Sequence, residues 1–175
     1  MKSLLQAFGA LLLLVFAVGS QPALAQWAEY KPEGVGYSVE MPAEWSVKTE
    51  EIPTAIGTLK AYTASVNAGQ RAFMTMYITY PEEGIRGRPV TTILDGARDG
   101  AVSNVKGKLR KEERLTISNV PARQIIIDAP SNVVVVGRYL MLNNTLVQAL
   151  VAGLKNIEND ADTKRFLGSL KLVSR

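Results

Sequence analysis

Residues 133–152 constrain the fold of this chain more than any other stretch. Two runs, 133–142 and 145–152, are almost wholly apolar and rich in β-branched side chains, and Asn143-Asn144 stands between them. Such runs read as strands, and two asparagines, which tolerate positive φ, suit a two-residue type I′ hairpin. Leu142 then faces Thr145, and Leu140 faces Val147. Successive side chains of a strand point to opposite faces, so Val134, Val136 and Leu140 lie on one side and Val135, Tyr139 and Met141 on the other. A hairpin that is apolar on both faces must be covered on both faces, so its sheet belongs inside a layered domain.

The rest of the chain supplies strands and covers. Tyr37, Val39 and Met41 alternate with polar residues over 36–42, a half-buried strand stopped by Pro42, and Trp45 follows at the core edge. Residues 58–66 and 72–80 are rich in β-branched and aromatic residues, joined through Asn67-Ala68-Gly69-Gln70 and ended by Pro81-Glu82-Glu83-Gly84. The period then changes. Ile93, Ala97, Ala101 and Val105 recur every fourth residue, with Leu94 and Val102 beside them, which predicts an amphipathic helix over 91–105. Gly96 and Gly100 inside it each cost about 1 kcal/mol against alanine; close approach of the helix to the sheet is the expected compensation. Strands follow at 109–117 and 123–128, with a turn at Asn119-Val120-Pro121, ahead of the apolar hairpin. Asn159, Asp160 and Asp162 cap and charge the start of a last helix whose buried stripe is Phe166, Leu167 and Leu170. The order is β-β-β-α-β-β-β-β-α. This is an α+β chain: a mostly antiparallel sheet of about six to seven strands packed between helices.

The first 25 residues read differently. Met1-Lys2 gives a positive start, residues 4–18 are nearly unbroken apolar sequence, and Pro22-Ala23-Leu24-Ala25 presents an A-x-A site. This is the pattern of a secretory leader cut between Ala25 and Gln26, which makes 26–175 a single periplasmic or secreted domain. That length buries roughly 70% of its unfolded surface and folds on hydrophobic burial alone. No other segment is apolar over the ~20 residues that a spanning helix needs. The chain contains no cysteine and no histidine. Lipidation of a mature N-terminal cysteine, thiolate chemistry, Ser-His-Asp catalysis and histidine-ligated zinc are therefore excluded by composition. Carboxylate, lysine and tyrosine chemistry and oxygen-ligated cations are the classes that composition leaves open. The formal net charge of +4 is ordinary for a soluble domain and does not point to nucleic acid.

Three segments carry a resemblance. Gly36-Tyr37-Ser38-Val39-Glu40-Met41-Pro42-Ala43-Glu44-Trp45 opens the domain, Gly137-Arg138-Tyr139-Leu140 lies in the apolar hairpin, and Phe166-Leu167-Gly168-Ser169-Leu170-Lys171-Leu172 ends the chain. Together they resemble the PsbP-like superfamily, which includes the extrinsic photosystem II subunit and many exported bacterial proteins of unknown function. The resemblance implies an antiparallel sheet sandwiched by helices and implies no enzymatic activity. The histidines that some members use for metal are absent here.

The densest basic run is Lys106, Lys108, Arg110, Lys111 and Arg114. On a regular strand Lys106, Lys108, Arg110 and Arg114 share a face, so they are the candidate surface for an envelope protein or an anionic partner; a solvated strand edge guarded by charge is the plainer reading. Arg138 stands in an otherwise apolar strand. It is the candidate anion-binding residue, and pairing with Asp128 is its structural alternative. Asp95 and Asp99 share a helix face, and Asp160 and Asp162 suit a helix start better than a calcium loop. No catalytic constellation, metal site or cofactor is expected. The sequence therefore points to a non-enzymatic exported binding or assembly module of the cell envelope. Binding of a small ligand is the alternative, and a carboxylate- or serine-based hydrolase a weaker one.

Overall fold

The computed structural model describes residues 26–54 and 57–174, and the leader segment lies outside the described residues. The apolar hairpin forms as its pattern requires. Strands β1 (Trp27–Tyr30), β2 (Tyr37–Pro42), β3 (Ser46–Thr54), β4 (Gly57–Ala68), β5 (Arg71–Thr79), β6 (Lys108–Ile117), β7 (Val120–Asp128), β8 (Val133–Leu142), β9 (Thr145–Leu154) and β10 (Lys171–Leu172) form two sheets. The larger has seven strands in the order β3-β4-β5-β9-β8-β7-β6, every pairing antiparallel. The hairpin β8–β9 lies at its centre, with Leu142 opposite Thr145 and Leu140 opposite Val147. Of the two turn asparagines only Asn143 takes positive φ, at 56°. Asn144 instead donates its side-chain amide to the Tyr80 carbonyl at 2.8 Å, which ties the hairpin tip to the end of β5.

Both faces of that sheet are covered, each by a different layer. On one face lie the small sheet β1-β2-β10 and helix α3 (Ala161–Ser169). Tyr37, Val39, Met41, Phe166, Leu167 and Leu170 pack there against Phe73, Val134, Val136, Leu140, Val147 and Val151. The Tyr37 hydroxyl reaches Thr75 Oγ1 at 3.0 Å. Thr75 gives its own proton to the Gln148 carbonyl, also at 3.0 Å, so Tyr37 is the donor in the first bond. This relay satisfies the buried Tyr37 hydroxyl. Asp160 caps α3, accepting from the amides of Asp162 at 3.0 Å and Thr163 at 3.2 Å.

On the other face α2 (Val90–Asn104), which follows the single helical turn α1 (Glu82–Ile85), places Leu94 and Ala97 on Ile125, Ile127, Val135, Tyr139, Met141 and Leu150. The Tyr139 ring lies over Gly137: a Cβ there would sit 2.8 Å from Tyr139 Cε2 and from Leu150 Cδ2. Gly137 is thus needed for the ring to lie flat on the sheet.

Three strands escape the sequence pattern. β1 and β10 have only 4 and 2 residues. β3 is an edge strand with three charges and Pro53, a composition that lacks the apolar alternation of a strand and so reads as loop. The two helix glycines also differ from each other. Gly100 is buried, as close approach demands, but Gly96 is on the exposed side and a Cβ there would meet nothing within 4 Å. Gly96 is a plain helix glycine without a packing role. Gly96→Ala is accordingly expected to raise stability by about 0.5–1 kcal/mol in urea denaturation, because alanine loses less backbone entropy on entering a helix.

Candidate interaction surface

The side chains with the strongest recognition chemistry gather where the small sheet meets β4 and β5. Tyr62 and Tyr77 stand directly opposite each other on neighbouring strands, and their rings stack at 4.7 Å with 9° between planes. Tyr77 meets the buried ring of Tyr37 at 6.2 Å, edge to face. Tyr37 meets Tyr30 at 6.5 Å, and Tyr30 meets Trp45 at 5.7 Å. Tyr30 and Tyr37 belong to the small sheet, while Tyr62 and Tyr77 belong to the large one, so this aromatic chain spans the seam between layers. Tyr37 is buried, but Tyr30, Trp45, Tyr62 and Tyr77 are half-buried and open their outer edges to solvent. Val47, opposite Ala64 and so on the same face of the sheet, is 58% exposed. The result is a rigid apolar rim with polar tips. Such surfaces bury large area at little conformational cost and offer hydroxyls to a partner, which is why tyrosine and tryptophan are enriched at interfaces.

Burial pushes the Tyr30 and Tyr77 hydroxyls above the ordinary tyrosine pKa, with nearby Tyr30 and Tyr62 adding to the rise at Tyr77. Burial also raises Tyr37 and Tyr139, and pushes Tyr80 up to about 12.

The basic residues singled out in the sequence do not form one patch. Lys106 precedes β6 in a turn with φ of 49°. A β-bulge between Leu109 and Lys111 then inserts a residue and inverts the alternation. Lys108, opposite Asp128, faces the α3 side, whereas Arg114, opposite Arg123, faces the α2 side. Arg110, in the bulge, pairs with Asp128 at 2.8 Å and with Glu158. Alternation over an unbroken strand placed these four on one face, and the bulge is the physical reason they are divided.

Arg138 is held by the protein itself. Its Nε donates to Gln124 Oε1 at 2.8 Å and its Nη1 to the Leu167 carbonyl at 2.6 Å. It therefore serves an orphan carbonyl in the last turn of α3, as basic residues at helix C-termini do. Burial lowers its pKa from the ordinary guanidinium value. Asp128 is not its partner: Arg138 stands opposite Gln124, while Asp128 faces Val134 at the far end of the strand pair.

The most buried ion-pair network lies elsewhere, around Arg123, which no sequence motif marks. Arg123 is 3% exposed beneath α2. Its guanidinium meets Asp95 and Glu112 and donates to the Thr91 carbonyl at 3.2 Å. Arg98 completes the cluster with Asp95 at 3.2 Å, Asp99 at 2.8 Å and Glu112 at 2.9 Å. The helix carboxylates Asp95 and Asp99 are thus structural partners of arginine. Among the described residues no group of three or more acids is placed to hold a metal ion.

A shallow, open depression of about 380 Å³ lies at the opposite end of the sheet, lined by Gln70, Arg71, Leu154, Lys155, Asn156 and Asp160 among others. Arg71 there is engaged by Asp160 and by Asp162 at 2.6 Å. Among the described residues no helix is long and apolar enough to cross a membrane.

Comparison with solved structures places this architecture. The chain superposes on cyanobacterial PsbP from Synechocystis sp. PCC 6803 with a TM-score of 0.55 and 8% identity, covering 89% of this chain and 98% of that one. The fold is PsbP-like. At that identity the match speaks for the fold alone. A Pseudomonas aeruginosa protein of unknown function aligns over 73% of this chain and 83% of its own, at 12% identity and a TM-score of 0.35. No family model and no curated protein sequence matches the chain.

Two measurements test the site. A tyrosine held above its ordinary pKa of 10.0 stays neutral in the fold while the unfolded chain ionises. Stability is then full below about pH 10 and lost as pH rises through the folded values. Ultraviolet titration should show Tyr30, Tyr37, Tyr77, Tyr80 and Tyr139 ionising late, together with alkaline unfolding. Arg123→Ala leaves Asp95 and Glu112 under α2 with Arg98 alone as their partner and should cost about 2–3 kcal/mol in thermal or urea denaturation. Lys111→Ala, which removes only the exposed pair with Glu113, should cost less than about 0.5 kcal/mol.

Proposed function

We propose that the protein is a non-catalytic binding or assembly module exported to the cell envelope, and that it docks a protein partner on the rim of Tyr30, Trp45, Tyr62 and Tyr77. The observation that carries this reading is the rim itself: four half-exposed aromatic rings, fixed by ring-on-ring packing across two sheets, with Val47 exposed beside them. Hot spots of protein interfaces are built from such preorganised tryptophan and tyrosine side chains. The leader pattern of residues 1–25 supports export. The absence of histidine and cysteine from the chain supports a role without general-base or thiolate catalysis. Lys108 and Arg114 lie on opposite faces of β6, at the far edge of the sheet from the rim, and take no part in this docking surface. Binding of a small polar ligand is the second reading, and the depression beside Arg71 and Lys155 favours it.

The test uses the full chain, leader included, expressed in a bacterium and crosslinked in living cells. The expected product is a periplasmic protein beginning at Gln26 that captures a defined partner. Trp45→Ala and Tyr62→Ala should each lower that capture about thirtyfold or more, the loss that a 2 kcal/mol hot spot gives. A cytoplasmic product would end the export reading. Capture unchanged in both aromatic variants would end the docking assignment.

A further inference from the structure

We propose that the protein pairs with a second copy of itself through β3, joining two seven-stranded sheets into one. β3 is an edge strand, hydrogen-bonded to β4 on one side only, and it runs for 9 residues with most side chains exposed. Such an edge templates another strand unless its side chains forbid it. Its side chains decide which strand fits.

Lys48 and Glu50 lie on the same face, opposite Thr63 and Ala61 of β4. Among the described residues neither makes an ion pair, although Glu51 next to them does, with Lys60 at 3.9 Å. Two copies joined about a two-fold axis normal to the sheet keep the same face upward, so only residues of one face can stand opposite each other. With Thr49 on the axis, Lys48 faces the partner's Glu50, and the symmetry makes this pair twice. Val47 then packs along the stem of the partner's Glu51, and Ser46 faces the partner's Ile52. Directly opposed side chains on antiparallel strands are about 5 Å apart at Cβ, within ion-pair reach. Moving the axis one residue either way sets Lys48 against the partner's Lys48, or Glu50 against the partner's Glu50. One central register is therefore selected by charge and its neighbours are rejected.

The central registers of the other sheet edge are closed to the same pairing. In every register of β6 centred on residues 111–114, a charged residue faces its own copy, and the bulge at Leu109–Lys111 bends the strand. Self-association through β3 consequently closes as a dimer and does not propagate. The overlap is a single strand, below the ~1,000 Å² of a stable interface, so the dimer is weak and concentration-dependent. Its axis leaves both aromatic rims on one face of the combined sheet, a bivalent arrangement. The pairing itself does not depend on what the rims bind.

Sedimentation velocity of the purified protein, from micromolar to millimolar concentration at low salt, tests the proposal. The wild type should show a monomer–dimer equilibrium that weakens in high salt. Lys48→Glu and Glu50→Lys should each weaken association about tenfold or more, since each turns two attractive pairs into two repulsive ones. The double variant K48E/E50K should restore it to within about threefold, with circular dichroism unchanged throughout. A monomer at all concentrations overturns the proposal. So does a dimer indifferent to the single charge reversals, or one that the double reversal does not restore, which would place the contact on another surface.

Discussion

Everything in this fold depends on the two-sided burial of the β8–β9 hairpin. Val134, Val136 and Leu140 face one layer, and Val135, Tyr139 and Met141 face another, all at most 4% exposed. Burial at roughly 25 cal/mol per Å² rewards cover on each side, and the chain provides two covers of different make. One is the small sheet with α3, brought from the two ends of the domain. The other is α2, inserted between β5 and β6. A strand pair with a polar outer face would have needed only one of them.

The covers are fastened differently. The small sheet and α3 are held by large aromatic and aliphatic side chains and by the relay from Tyr37 through Thr75 to the Gln148 carbonyl. Helix α2 contributes only Leu94, Ala97 and Gly100 as fully buried residues. Its second attachment is electrostatic, through Arg123 with Asp95 and Glu112. A buried guanidinium is costly without partners, and Asp95, Glu112 and the Thr91 carbonyl offset that cost beneath α2. The same logic explains Arg138 on the opposite face, where a side-chain amide and a helix carbonyl take the place of a ligand.

The rim follows from how the first cover ends. The small sheet ends over β4 and β5, and the aromatic residues at that boundary belong half to the core and half to the surface. Tyr30 and Tyr77 pack on Tyr37, Trp45 packs on Tyr30 and Tyr62 on Tyr77, while their outer edges remain available. Rigid placement with open area is the property that distinguishes this region from the charged surface elsewhere.

Periodicity and composition made much of the fold legible. The alternation over residues 133–152 implied the central hairpin with the observed pairing of Leu140 with Val147, and two-sided cover followed from it. The four-residue spacing from Ile93 to Val105 implied α2. The motifs around Gly36–Trp45 and Phe166–Leu172 pointed to the PsbP-like architecture. The rim was not legible, because Tyr30, Trp45, Tyr62 and Tyr77 come from separate segments and share no motif; only sheet register brings them together. The division of Lys108 from Arg114 was equally hidden, since one bulge residue inverts a period-two pattern without any mark in composition. By itself the sequence determined what must be buried, which chemistries its residue types exclude, and the layered class that follows, because hydrophobic periodicity acts locally along the chain. Which side chains meet across strands was decided only by the tertiary structure, because register and layer contacts join residues far apart in sequence.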